Sequence, residues 1–348
     1  MIRRLALGLF VVVVSQFSVS CSAKKQDAPP PYTPNCDDLP GATPEDLRCT
    51  GLYSDFASKA LSPDAKPYTP GFALWSDAAE KSRFLYLPPQ TQIDTTDMDE
   101  WKFPIGTKVW KEFRLNGKRI ETRLFYKQTA AKWVWTTYRW TDDESRAPRL
   151  TTGEENVMGA YDIPDQIACD KCHRGRRDKL LGLEAIALGS PSAQGITLAS
   201  LVAENKLSKP PAQTQIAVPE DATGKAAAAI GYLHMNCGVS CHINASYVEG
   251  SESGLFMRLS ATQLLAGGVQ VKDLDVYKTA VDVAVTHQRH FTYAQKGYFL
   301  IKPGDSSKSL VVALSALRDG KEQMPPIGSR LADDQGVAAM KAWIDALR

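Results

Sequence analysis

Cys169-Asp170-Lys171-Cys172-His173 is the stretch that most restricts what this chain can fold into. Two cysteines separated by two residues and followed at once by histidine read as an attachment site for a c-type haem. The spacing has a chemical reason. Each thiol adds across one vinyl group of the same macrocycle, and the next residue is then held beneath the iron as its ligand. Leu180, Leu181, Leu183, Ile186 and Leu188 follow, enough apolar surface to cover one face of the ring. A structural zinc site would want a second Cys/His pair nearby in sequence. A thioredoxin-like dithiol would want a strand and then a helix opening at the first cysteine, and Asp165-Gln166-Ile167-Ala168 is a poor lead-in for that.

A looser copy lies downstream: Cys237-Gly238-Val239-Ser240-Cys241-His242, with three spacer residues instead of two. Late in the chain, Met324-Pro325-Pro326 offers a thioether for the other axial position of one haem. The sixth ligand of the first haem stays open among Met158, His234, Met235, Met257, His287 and His290. The residues therefore point to a two-haem redox protein, with Cys169, Cys172, Cys237 and Cys241 as anchors, His173 and His242 as iron ligands and Met324 as a third.

The chain has 348 residues, 43% hydrophobic and 23% charged, as a soluble globular protein does. A net charge of +2 indicates no nucleic-acid partner. The one basic run, Arg174 to Lys179, reads as a solvated rim or a docking patch for an acidic partner. Thioether attachment and a stable disulfide both ask for maturation outside the cytoplasm. Residues 1–20 read as a secretion signal, with Arg3 and Arg4 ahead of a short apolar core from Leu5 to Val14. Residues 21–35, with their Pro29-Pro30-Pro31 run, are a stiff linker. Cys36 and Cys49 are expected to pair, closing a loop worth about 3 kcal/mol.

Residues 36–165 read as β structure. Asn116-Gly117 supplies a two-residue hairpin turn between alternating strands, and Trp133 to Trp140 forms a further strand. The result is expected to be an antiparallel, sandwich-like domain whose tryptophans are mostly core. Residues 166–207 carry the first attachment motif, and 208–223 read as a linker. Within 224–348, helices are expected at Lys225 to Asn236, Ser309 to Leu317 and Asp333 to Leu347, the last with Val337, Met340, Ile344 and Leu347 along one stripe.

Three resemblances extend this reading. Ser18-Val19-Ser20-Cys21 resembles the lipobox of bacterial lipoproteins, implying a lipid anchor on Cys21; Ser22 after it resembles lipoproteins sent to an outer membrane. The helix, Cys…Cys-His, Pro303-Gly304-Asp305, Met-Pro-Pro loop and final Trp343-Ile344-Asp345-Ala346-Leu347 resemble a class I cytochrome c domain. That implies an all-α domain over 224–348 with crossed first and last helices, His242 proximal and Met324 distal. From Leu52 onward the chain resembles a family of bacterial dihaem c-type cytochromes. The matching segments are Leu74-Trp75-Ser76-Asp77, Arg83 to Pro89, Trp101 to Thr107 and Ile120 to Leu124. This implies two covalently attached haems. With the leader, the reading is an exported electron carrier, working with other redox proteins at a membrane or in the periplasm. Two other readings are a peroxidase-like enzyme with an open first haem, and a haem-containing ligand-binding or sensor module.

Overall fold

Asn116 and Gly117 both take positive φ, 50° and 76°, and join Lys108–Leu115 to Lys118–Lys127 as a tight hairpin. Such a turn matches the right-handed twist of its strands and pairs Leu115 with Lys118 and Arg114 with Arg119; a bulge between Phe113 and Arg114 then shifts the register by one residue, bringing Phe113 opposite Glu121. Around it the computed structural model, which describes residues 36, 43–159, 161–318 and 320–348, builds one antiparallel sheet of seven strands. The leader, Cys21 and the linker to residue 35 lie outside the described residues.

In chain order, β1 (Tyr53–Asp55) and β2 (Ala60–Leu61) form a small hairpin. The strands β3 (Lys66–Thr69), β4 (Glu80–Tyr86), β5 (Lys108–Leu115), β6 (Lys118–Lys127), β7 (Trp133–Arg139) and β8 (Arg149–Leu150) run as a meander. A second small hairpin pairs β9 (Glu154–Val157) with β10 (Tyr161–Ile163), and β11 (Gln194–Gly195) returns to the sheet edge beside β3.

Neighbouring residues of a strand face opposite sides of the sheet. On one side Phe84, Trp110, Leu124 and Tyr138 are closed over by Leu47, Leu52, Tyr53 and Trp140. The buried indoles keep their hydrogen bonds, as buried tryptophans need to: Trp110 Nε1 donates to Thr50 Oγ1 at 3.0 Å and Trp140 Nε1 to Thr122 Oγ1 at 2.9 Å. The expected Cys36–Cys49 disulfide is present beside this layer. On the other side Leu85, Val109 and Phe125 stand opposite one another. They open a core that continues through the helices to Leu347. Helices cover this second face, so the expected sandwich is not formed.

The helices are α1 (Gln166–His173), α2 (Ala185–Gly189), α3 (Leu198–Ala203), α4 (Ala226–Leu233), α5 (Ala261–Ala266), α6 (Asp275–Ala280), α7 (Phe291–Gln295), α8 (Leu310–Ala316) and α9 (Asp334–Ala346). Contact between α4 and α9 depends on Gly336, where a Cβ would fall 2.1 Å from the Tyr232 ring. The stripe predicted on α9 is buried: Val337, Met340, Trp343, Ile344 and Leu347 are each at most 8% exposed.

The all-α cytochrome c domain expected over 224–348 is absent. The chain is only 29% helical, and a large sheet joins a mixed helical region. Within that stretch, Val281 bridges Ile301, and Phe299 bridges both Ala284 and Ser309, as extended backbone. The reason lies in the core. Ile230, Leu255, Ile301 and Trp343 pack into the same cluster as Tyr68, Leu85 and Phe125 of the sheet. This stretch completes the sheet's core, with a small cluster of its own around Val285, Leu310 and Leu314. Ile216 and Val218, in the stretch read as a linker, are buried there too.

Candidate functional site

Helix α1 carries the first motif. Asp165 caps it, its carboxylate accepting from Ala168 N–H at 2.7 Å. Cys169 therefore lies inside the helix, not at its opening, which does not suit a thioredoxin-like dithiol. The thiols agree. Burial pushes Cys169 up, and pushes Cys172 to about 12, with Cys241 and Cys169 adding to it; a reactive dithiol needs the opposite shift. Helix α4 runs into a π-helical turn, His234–Gly238, that delivers Cys237. Burial pushes that thiol to about 12 as well.

The two motifs open onto two cavities of about 380 Å³ each, within the size range of cofactor sites. Cys169, Cys172 and His173 line one; Cys237, Cys241, His242 and Met324 line the other. Both share Cys241, Glu249 and Pro326 as walls. The motif segments touch directly: a Cβ on Gly175 would fall 2.0 Å from Ser240 O. The Met-Pro-Pro loop divides the cavities. Met324 faces the second, while Pro325, Ile327, Gly328 and Ser329 line the first.

Both motif histidines suit an iron. The His173 ring lies 4.4 Å from Phe125, centroid to centroid, and its Nδ1 meets Lys179 O at 2.5 Å. A backbone carbonyl on Nδ1 leaves Nε2 as the ligating atom, the usual outer support of a metal-bound histidine. Burial pushes His173 down to about 4 and lowers His242, so both imidazoles are neutral at physiological pH. His242 Nδ1 lies 3.2 Å from Ser253 Oγ. Among the described residues no three His, Cys, Asp or Glu side chains converge on a point, and a haem asks for only one protein ligand on each face.

The candidates for a sixth ligand of the first iron are dispersed. Met158 is half exposed. His234 and Met235 are buried, His234 Nδ1 accepting from Leu259 N–H at 3.0 Å. Met257, His287 and His290 line the second cavity. Among the described residues lining the first cavity, His173 is the only histidine and no methionine is present.

Two segments that the sequence singles out act as supports, a role it did not show. The segment from Leu74 to Asp77 straps the site together. Trp75 N–H donates to Asn236 Oδ1 at 2.8 Å and Trp75 Nε1 to Leu331 O at 2.9 Å. The buried Asp77 carboxylate takes Arg330 N–H and Leu331 N–H at 2.7 and 2.9 Å. The basic run after α1 is a solvated rim only in part: Arg177 is exposed, but Arg176 and Asp178 are 5% and 8% exposed. Asp178 accepts from Lys127 Nζ at 2.6 Å, Phe103 N–H at 2.5 Å and Trp133 Nε1 at 3.2 Å, pinning the run to the sheet. No family model, curated protein or solved structure matches the chain.

Proposed function

We propose that this chain is an exported dihaem c-type cytochrome that carries electrons between redox proteins. One observation carries the reading: both Cys…Cys-His motifs line cavities of cofactor size, and the two cavities share a wall. In this reading Cys169 and Cys172 hold one haem by thioethers and Cys237 and Cys241 hold the other. When bound, each haem supplies a one-electron iron couple. His173 and His242 would ligate the irons, and Met324 would be a further ligand of the second, a ligand set that raises potential. Leu233, Leu255 and Leu314 give the second site apolar walls. The contact of Gly175 with Ser240 holds the two sites side by side. Cys21 would tether the protein to a membrane by a lipid anchor, in the periplasm or at an outer membrane.

A second reading follows from the first cavity, whose described walls offer no second histidine or methionine. An open first iron would make this a haem enzyme, with the second site as its electron relay. The test is a visible spectrum of the secreted, haem-quantified protein, ferrous, with and without carbon monoxide. Two covalent haems of which neither binds carbon monoxide support the carrier. One that binds it readily supports the enzyme, and a protein without covalent haem overturns both.

A further inference from the structure

Three basic side chains stand in one row across the sheet. Arg83 of β4 is directly opposite Lys111 of β5, and Lys111 is directly opposite Arg123 of β6. All three line the cavity of Cys169, Cys172 and His173. Opposed residues sit about 5 Å apart at Cβ, and like charges placed so destabilise a sheet.

Only Arg123 is neutralised. Glu121 takes its Nε at 2.9 Å and its Nη2 at 2.5 Å. Arg83 is 6% exposed and its Nε has no hydrogen-bond partner. Neither Arg83 nor Lys111 has a carboxylate partner among the described residues. The other charges on the walls do not balance them. Asp162 is taken by Arg330 at 2.5 Å, Glu249 lies on the wall shared with the other cavity, and Lys171 adds a further positive charge. Burial, and then the charges of Arg83, Lys81 and Arg123, push Lys111 well down, so a counter-charge in the cavity is what would let Arg83 and Lys111 both be charged there.

We propose that Arg83 and Lys111 form an anion-binding subsite of the first cavity, one that takes a carboxylate or a small oxyanion. The proposal rests on the haem reading and deepens it. Two sources share this chemistry: the propionates of the haem itself, and a free anion reaching the side of the iron opposite His173. Tyr68, 4% exposed on β3 and on the same walls, adds a hydroxyl donor.

The experiment uses the protein as purified, with covalent haem quantified first, as wild type, Arg83→Gln, Lys111→Gln and the exposed-turn control Lys118→Gln. Neither row substitution removes an ion pair, so each variant is expected to fold. Calorimetric titrations with nitrite and acetate at constant ionic strength read the free-anion source. Wild type then binds saturably, and both row variants weaken by about tenfold or more while the control does not. Spectroelectrochemistry reads the propionate source. Free anions then do not bind, and both row variants shift the first haem toward its oxidised form by about tenfold, 59 mV for one electron. The acid–base step in its potential also moves to higher pH. Unchanged anion affinity together with an unchanged first-haem potential overturns the subsite. A preparation without covalent haem overturns the haem reading, and the subsite then stands or falls on the nitrite and acetate titrations alone.

Discussion

Glu184 is 4% exposed and holds two parts of the molecule together. Its carboxylate caps α2, accepting from Ile186 N–H at 3.0 Å and Ala187 N–H at 2.5 Å, and it lies 3.6 Å from His234 Nε2, just ahead of the second motif. Burial pushes this carboxyl up, but His234, the Arg176 charge and the Ile186 N–H outweigh that and hold it at about 2. An unfolded glutamate titrates near 4.3. Between the two values the unfolded chain binds more protons, so this stabilisation is full above about 4.3 and is lost as pH falls toward 2. Glu184→Gln is expected to be less stable at pH 7 by about 1–3 kcal/mol and to lose less than wild type on acidification. Urea midpoints between pH 7 and pH 3 check this; parallel acid limbs would show that Glu184 contributes nothing to the slope. At this scale the Cys…Cys-His motifs were legible, because their residues stand at a fixed local spacing. Arg83 and Lys111 were not. Alternation shows that a strand has two faces, but it cannot show that both faces of this sheet are covered.

Among the elements, the contact between the motif segments has the tightest geometry. A methyl group at Gly175 would meet the backbone of Ser240, which has no rotamer to give way. Gly175→Ala is expected to destabilise by about 1–3 kcal/mol, as overpacking does, read as a lower urea midpoint. A midpoint equal to wild type would mean that the two segments separate freely. The β5–β6 hairpin and α9 were readable because a positive-φ turn pair and an apolar stripe are local signals. The Leu74 to Asp77 strap was visible only as a matching segment. Its partners Asn236, Arg330 and Leu331 are more than 150 residues away in sequence, and no periodicity reports such a pairing.

For the whole molecule, one hydrophobic cluster runs from Tyr68 to Leu347. Such a core is expected to melt as a unit. Tryptophan fluorescence, weighted toward the sheet by Trp101, Trp110, Trp133 and Trp140, should therefore report the same denaturant midpoint as far-ultraviolet circular dichroism, which follows the helices. Two separated midpoints would mean that residues 224–348 fold on their own. The sequence by itself determined what local chemistry decides: the two Cys…Cys-His motifs, the Cys36–Cys49 pair, the hairpin turn and the stripe of α9. Each depends on residues a few positions apart, where chain geometry leaves little choice. The tertiary structure alone decided that helices and not a second sheet cover the inner face, and that the C-terminal half shares the sheet's core. It also decided that the Met-Pro-Pro loop divides two cavities and that a row of three basic side chains of the sheet lines one of them. Those outcomes depend on which apolar faces meet, and that choice is made by burial between residues far apart in the chain.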